Sequence, residues 1–203
     1  MDEIELAVAA REGDLTAFNR LVLLHQELAY NVAHRILSDP DMAEDATQLA
    51  MIAAYNNIKG FRGGSFKAWL MRIVTNQCYD ELRRQKRQPH VPLEPVNQED
   101  EEEIESPQWM ADDKPQPEKA LEDTELEAAI THCLDDLPDE FKVIVVMVDM
   151  EGLDYKDVSS AINRPLGTVK SRLARARVRL QDCLRGFQEL LPEKFRLNDE
   201  AAI

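Results

Sequence analysis

Residues 154–185 read DYKDVSSAINRPLGTVKSRLARARVRLQDCLR, and this stretch decides the fold. Asp154 is suited to cap a short helix over 155–162, Asn163-Arg164-Pro165 supplies a tight turn, and a longer helix follows from about Leu166 to Phe187. A short helix, a turn and a basic helix form the helix-turn-helix pattern. In the second helix Val169, Leu173, Ala176, Leu180, Cys183 and Leu184 recur at steps of three and four, which leaves Lys170, Arg172, Arg175, Arg177 and Arg179 largely on other faces. From Arg164 to Arg185 seven bases stand against Asp182 alone, a local charge of +6 without the acidic i,i+4 partners of a merely solvated face. Such a surface suits phosphates and base edges, although an Arg-rich helix also suits solvent or an acidic protein.

Two helices precede this unit, one over about 119–134 and one that starts at Leu137-Pro138, with Phe141, Ile144, Val145 and Val148 inward and Glu151-Gly152 as its stop. Before them, residues 88–118 carry ten acids against Lys114, a net −9, together with Pro89, Pro92, Pro95, Pro107, Pro115 and Pro117. Too little apolar surface is available there to offset the entropy of ordering, so the segment reads as a linker.

Upstream of the linker the chain again reads as helices. A short element covers about 4–11. Asp14 caps a long helix in which Leu15, Phe18, Leu21, Val22, Leu24, Leu28, Val32 and Ile36 keep helical spacing up to Ser38-Asp39-Pro40. The next helix, about 41–58, is expected to turn Met42, Ala46, Leu49, Ile52, Ala53 and Ile58 inward, with Glu44, Asp45 and Gln48 opposite. A loop rich in glycine, Gly60 to Gly64, then leads through the capping residue Ser65 to a helix over 66–87. Here aromatics alternate with bases: Phe61, Arg62, Phe66, Lys67, Trp69, Arg72, then Tyr79 and Arg83, Arg84, Lys86, Arg87. Rings interleaved with cations suit a single nucleic-acid strand, whose every step offers a π-face and a charge. An ordinary aromatic core with a solvated basic face fits the same residues.

The whole is an all-α expectation: two small helical domains, an N-terminal bundle over 1–87 and a helix-turn-helix domain over 119–187, joined by the acidic proline-rich linker 88–118 and followed by a tail, 188–203. The 203 residues hold 39 acids and 24 bases, net −15, yet residues 59–87 and 164–185 are each +6. With a Debye length of about 8 Å, a phosphate at either block feels the block more than the distant acids, so an acidic total does not exclude nucleic acid. Few aromatics and only 7 glycines disfavour a β-sandwich or barrel. The longest apolar run, 143–148, is far below the roughly 20 residues that cross a bilayer, and the acidic start is unlike a signal peptide, which points to the cytoplasm. Cys78, Cys133 and Cys183 lie about fifty residues apart and read as small buried hydrophobes, with neither a disulfide framework nor a zinc site indicated.

Two further sets of residues bring a family into view. Leu137-Pro138, Gly152-Leu153-Asp154-Tyr155, Val158, Ala161-Ile162 and Leu166-Gly167-Thr168-Val169-Lys170-Ser171-Arg172-Leu173-Ala174-Arg175-Ala176-Arg177 resemble the fourth conserved region of bacterial sigma factors of the extracytoplasmic-function (ECF) group. Ala43-Glu44-Asp45-Ala46-Thr47-Gln48, Ala54-Tyr55, Phe61-Arg62-Gly63, Phe66, Trp69-Leu70-Met71-Arg72-Ile73, Asn76, Asp80 and Arg83-Arg84 resemble the second region. The resemblance implies a transcription initiation factor of the sigma-70 family, without catalysis or cofactor of its own, that binds core RNA polymerase and directs it to promoter DNA.

It also implies roles. Glu44, Asp45 and Gln48 would contact the polymerase clamp. Phe61, Arg62, Phe66, Lys67, Trp69, Arg72 and Asn76 would melt the minus-ten element and hold a flipped base, with Arg83, Arg84, Lys86 and Arg87 on phosphates. Thr168, Lys170, Ser171, Arg172 and Arg175 would lie at the minus-thirty-five element, Arg175 foremost as a base reader. An anti-sigma factor is the implied regulator, with no insertion of the chain itself into a membrane. The anionic linker would either thread the polymerase channel as a mimic of RNA or act only as a tether. The segment from Phe187 to Leu197 extends the pattern, as a packing element or as a contact for a regulator. A stand-alone helix-turn-helix regulator is the competing reading, and a protein-interaction module the third; neither requires single-strand chemistry around Phe61 to Trp69.

Overall fold

The computed structural model describes residues 2–87 and 117–191, with side chains from 124 onward in the second stretch. Most of the acidic linker, 88–116, and the tail from 192 therefore lie outside the described residues. The two that remain of the expected linker, Pro117 and Glu118, belong to a helix. All regular structure among the described residues is helical.

The N-terminal domain consists of α1 (Glu3–Glu12), α2 (Leu15–Leu37), α3 (Pro40–Asn57), a 3₁₀ turn (Ile58–Gly60) and α4 (Phe66–Arg87). Local chemistry sets the boundaries. The Asp14 carboxylate accepts from the backbone N–H groups of Thr16 and Ala17 at 2.8 and 3.1 Å, filling two of the donors that a helix start leaves open. Ser38 closes α2 in the left-handed region at φ +57°, and Asp39 followed by Pro40 starts α3 at once. Ser65 Oγ accepts from the N–H of Ala68, as its place before α4 suggests.

The core of this domain departs from the expected pattern on α3. Its buried stripe is Ala43, Ala46, Ala50 and Ala54, while Leu49 and Ile52 are 53% and 57% exposed. Small residues at every turn let the α3 backbone approach α2 and α4 closely, and the larger side chains are displaced to the outer face. On α2, Phe18, Leu21, Val32 and Ile36 are buried as expected, but Leu15 and Leu24 face solvent and His25 takes an inner place.

The C-terminal domain contains α5 (Pro117–Asp135), α6 (Asp139–Val145) running into a π-helical turn (Val146–Met150), α7 (Tyr155–Ala161) and α8 (Leu166–Leu184), then a 3₁₀ segment (Arg185–Leu190). Pro138 stands just ahead of α6 at its cap position, one residue earlier than expected. Gly152, at φ +65°, makes the turn out of the π segment. Asp154 accepts from Lys156 and Asp157 N–H, both at 2.8 Å, and these backbone bonds, that of Asp157 foremost, hold its carboxyl below the usual range. Asn163 takes φ +51° in the turn between α7 and α8, a conformation that Asn tolerates better than most residues. Val158, Ala161, Val169, Leu173 and Ala176 lock the two helices. The last helix ends at Leu184 rather than Phe187.

Two of the three cysteines correct the sequence reading. Cys133 of α5 and Cys183 of α8 form a disulfide, with Cα atoms 5.7 Å apart. A separation of 50 residues gives no local sign of such pairing; helix packing creates it. Cys78 is buried and free, its thiol pushed up to about 12 by burial.

The two domains pack on each other, and one continuous apolar core runs through both. α7 lies along α4, while α6 and the π turn meet α2. Polar contacts bridge the seam: Lys67 with Asp157 at 3.2 Å, Arg35 with Glu151 at 3.0 Å and Lys86 with Asp139 at 2.6 Å. Lys142, only 5% exposed, donates to Asp135 at 2.6 Å and to Ser38 at 3.1 Å, and Ser38 in turn donates to Asp135 at 2.8 Å. Burial of an ammonium is tolerated because these partners replace its lost water.

Candidate nucleic-acid interface

The loop before α4 and the first turns of that helix build one polar surface. Gly63 and Gly64 adopt φ +92° and +90°, so the chain turns where a residue with a Cβ would be strained. Phe61 and Phe66 are buried, 6% and 2% exposed, with their rings in edge contact at 5.7 Å and each within 5.5 Å of the Trp69 ring. Only Trp69 of the three is partly open. Phe61 and Trp69 form the floor of an open cleft of about 510 Å³ that is walled by Arg62, Gly63, Gly64, Ser65 and Arg72 and, from α7, by Ser160, with Phe66 packed behind them. Arg62, Arg72 and Asn76 are exposed, and neither arginine pairs with a carboxylate among the described residues. Lys67 is half-buried and engaged by Asp157.

Further along α4 three of the four bases are paired, at the surface. Arg83 pairs with Asp80 at 2.8 Å, Arg84 with Glu81 at 2.9 Å and Lys86 with Asp139; Arg87 is exposed. Arg83, Arg84 and Arg87 nevertheless line a common depression with Asp80, and the exposed pairs of Arg83 and Arg84 are weak and screened by salt. Tyr79 is pushed up to about 12 by burial and then by Asp139 and Glu140, so its phenol stays protonated.

On α8 the expected basic residues divide into two groups. Lys170, Ser171 and Arg175 are exposed and Thr168 is half-buried. Arg175 pairs with no carboxylate among the described residues, whereas Lys170 lies 5.8 Å from the Tyr155 ring centre. The remaining arginines brace the domain: Arg172 reaches Glu140 at 2.7 Å, Arg177 holds Asp149 with two hydrogen bonds at 2.5 and 2.9 Å, and Arg179 sits 5.2 Å from the Phe141 ring centre. Arg177 is shifted further upward by that bidentate bond. Spacing alone does not separate the two groups, because the carboxylates come from α6 and the π turn.

A third surface lies on the outside of α3. Glu44, Asp45 and Gln48 are exposed there, Gln48 donating to Glu44 at 2.9 Å, and beside them stand the exposed Leu49, Ile52 and Tyr55. Sequence reading found the acids and missed the apolar residues, whose spacing of three places them on the same side; their hydrophobicity directed them to the core instead.

A basic, aromatic-lined cleft in the same chain as a helix-turn-helix fits the class of two-domain helical proteins that bind nucleic acid. Residues 21–88 match the family model Sigma-70 region 2, and residues 127–180 match Sigma-70, region 4. The chain is 35% identical to the ECF RNA polymerase sigma factor SigE of Mycolicibacterium smegmatis over 181 residues, 88% of this chain and 66% of that one. It is 34% identical to the RNA polymerase sigma-H factor of Pseudomonas aeruginosa over 190 residues, 93% of this chain and 95% of that one. Among solved structures, the sigma factor RpoE in complex with the anti-sigma factor NepR from Bartonella quintana shares a TM-score of 0.61 at 26% identity, covering 84% of this chain and 98% of that one. CnrH in complex with the cytosolic domain of CnrY shares the fold, with a TM-score of 0.66 at 21% identity over 91% of this chain and 99% of that one. The chain belongs to the sigma-70 family, as a sigma factor of the ECF group. It is an initiation factor that binds core RNA polymerase and directs it to promoter DNA. No helix among the described residues is long and apolar enough to cross a membrane.

Proposed function

We propose that the cleft before α4 opens the minus-ten element and α8 reads the minus-thirty-five element. The observation that carries this reading is the coexistence, in one chain, of uncommitted cations at both surfaces: Arg62 and Arg72 at the cleft, Arg175 on α8. At about 510 Å³ the cleft falls within the range of sites that enclose small-molecule-sized groups, so a single flipped base fits. Trp69 offers it a ring and Arg72 a polar group, while the buried Phe61 and Phe66 hold Trp69 and the glycine turn in place and Asn76 stands exposed one turn further along α4. Lys67, once released from Asp157, and Arg83, Arg84, Lys86 and Arg87 neutralise phosphates along α4. Melting then needs no catalytic step: capture of unstacked bases offsets a few kcal/mol per step.

On the other domain Arg175, Lys170, Ser171 and Thr168 face the major groove, and Arg172 steadies α8 on α6 through Glu140 from a position beside them. On α3, Glu44, Asp45 and Gln48 with Leu49, Ile52 and Tyr55 form the polymerase-docking face, an apolar strip edged by carboxylates. The chain works in the cytoplasm with the polymerase, and an anti-sigma factor of the sort bound to the Bartonella relative holds it inactive. The domain limits follow: bundle 1–87, reader from α5 to the 3₁₀ segment.

The packed arrangement also has to open. The two promoter elements lie some 25 base pairs apart, about 85 Å at 3.4 Å per pair, yet α7 touches α4 directly and α8 is only about 28 Å long. One duplex cannot meet both surfaces in this state, and Lys67 is occupied by Asp157. The test is to mix the purified chain with core polymerase, look for co-elution, and assay promoter-dependent transcription with Trp69→Ala, Arg72→Ala as the control. Tight duplex binding by the isolated chain with no dependence on polymerase would instead establish a stand-alone regulator.

A further inference from the structure

The C-terminal domain also brings a reactive cluster together near the ends of α5 and α8. Cys133, near the end of α5, and Cys183, near the end of α8, are joined across the domain. They differ in access: Cys133 is 1% exposed, whereas Cys183 is half-buried. His132 and Asp136 stand exposed beside Cys183, and one ligating atom from each of the three lies within 4.8 Å of the others. His132 Nε2 is 3.8 Å from an Asp136 oxygen. Cys78 shows the opposite environment: buried, far up the pH scale and without a partner thiol.

We propose that Cys183 and Cys133 are a reversible thiol-oxidation site for hydroperoxides, Cys183 being the attacking sulfur and Cys133 the resolving one. Within 4.8 Å of Cys183, His132 is placed to take the thiol proton and so leave the thiolate, the nucleophilic form. The thiolate attacks the terminal oxygen of a hydroperoxide. An S–O bond forms, the O–O bond breaks, and the leaving alkoxide takes a proton from His132 and departs as the alcohol. Cys183 is then a sulfenic acid. Cys133 attacks that sulfur, an S–S bond replaces the S–O bond, and the hydroxide leaves with the Cys133 proton as water. Two thiols and one hydroperoxide give one disulfide, one alcohol and one water. A small or protein dithiol reverses the state: its thiolate attacks the accessible Cys183 sulfur, Cys133 leaves as a thiol, and the dithiol ends oxidised.

The bond ties the first helix of the domain to the end of the last, and the residues between include the whole helix-turn-helix. The Phe187 ring rests edge-on against His132, with centres 5.8 Å apart, so the 3₁₀ segment is fixed by the same cluster. Oxidation therefore stiffens the DNA-reading domain. The proposal rests on the reading above in one respect: beside a cytoplasmic polymerase thiols are kept reduced, so a disulfide there is a transient state and not a permanent staple.

The test uses the full chain, reduced with dithiothreitol, desalted, and treated with one equivalent of hydrogen peroxide. Two of three titratable thiols are expected to disappear, peptide mapping should join Cys133 to Cys183, and dithiothreitol should restore both. Cys133→Ser is expected to accumulate a dimedone-reactive sulfenic acid at residue 183, Cys133→Ala serving if the serine variant folds poorly; Cys183→Ser should lose no thiol at the same dose. His132→Asn, which removes the proton acceptor beside Cys183, should slow oxidation at least about tenfold. Sulfenic acid at Cys133, oxidation no faster than that of the urea-unfolded chain, or tight binding of one Zn²⁺ by the reduced pair with protection from peroxide would overturn the proposal. Promoter-dependent transcription by the reduced chain is scored separately, so failure of the thiol chemistry and failure of the promoter reading are distinct results.

Discussion

Removing the carboxylates of Glu151 and Asp157 together should loosen the seam between the domains while leaving each domain folded. Both side chains are mostly enclosed, 10% and 15% exposed, but their partners Arg35 and Lys67 keep 40% and 35% of their surface in water. The cations can therefore rehydrate when the acids are gone, and each pair contributes about 0.5–1 kcal/mol rather than the several kcal/mol of a sealed ion pair. Together about 1–2 kcal/mol is lost, which multiplies the ratio of separated to packed molecules by roughly 5 to 30. Small-angle scattering on the isolated Glu151→Ala, Asp157→Ala chain should show a larger radius of gyration, with helicity by circular dichroism unchanged. Raising salt should expand the wild type in the same direction and the variant less, since the pairs removed are the screened ones. A variant with wild-type scattering and wild-type helicity at every salt concentration would refute the reasoning, because the apolar contact of α4 with α7 would then be sufficient alone.

Four other perturbations are informative. Arg175→Ala should cost about 1–3 kcal/mol in minus-thirty-five binding and relax the preference at one base pair, whereas Arg179→Ala, whose guanidinium rests on Phe141, should leave base preference intact; competition binding with single-base variants distinguishes them. Reduction of the Cys133–Cys183 bond should destabilise the C-terminal domain by up to about 4 kcal/mol, as expected for a loop of this size, and lower its thermal midpoint by roughly 10 °C or more, read by calorimetry with and without dithiothreitol. His25 is held below its ordinary value of 6.5, first by burial, so the unfolded chain binds the proton more readily: stability is full above about 6.5, declines as pH falls through that value, and levels off below the folded-state value. Denaturation curves from pH 7.5 to 5 should show this decline and His25→Gln should flatten it. Ala50→Leu, in the fully buried small-residue stripe of α3, should cost about 1–3 kcal/mol through overpacking, while Ala53→Leu, only partly buried, should cost less in the same urea titration.

Much of the fold was legible because its cues are local. Asp14, Asp154 and Ser65 announce helix starts through bonds to N–H groups two or three residues on, and the Asn163 turn between two apolar patterns announces the helix-turn-helix. The surfaces were legible in outline for the same reason, since Arg62, Arg72, Arg83 to Arg87, Lys170 and Arg175 announce themselves by charge excess. What failed was the assignment of faces on α3, where hydrophobicity placed Leu49 and Ile52 inside and the structure keeps four alanines there. Burial on a closely packed helix depends on how near the neighbouring axes come, a quantity that no window of one helix contains.

Composition and periodicity, then, determined an all-helical chain, two basic blocks separated by an acidic stretch, and the residue types able to meet a nucleic acid. Tertiary structure alone decided which arginines brace the domain and which stay free, that Lys67 answers to Asp157, that Lys142 is buried between Ser38 and Asp135, and that Cys133 meets Cys183. The division has one physical cause. Capping, turning and amphipathic spacing act over three or four residues and are written in neighbouring letters, whereas charge pairing, thiol pairing and shared burial act through space between groups from 7 to 116 positions apart, and become definite only when the helices are set side by side.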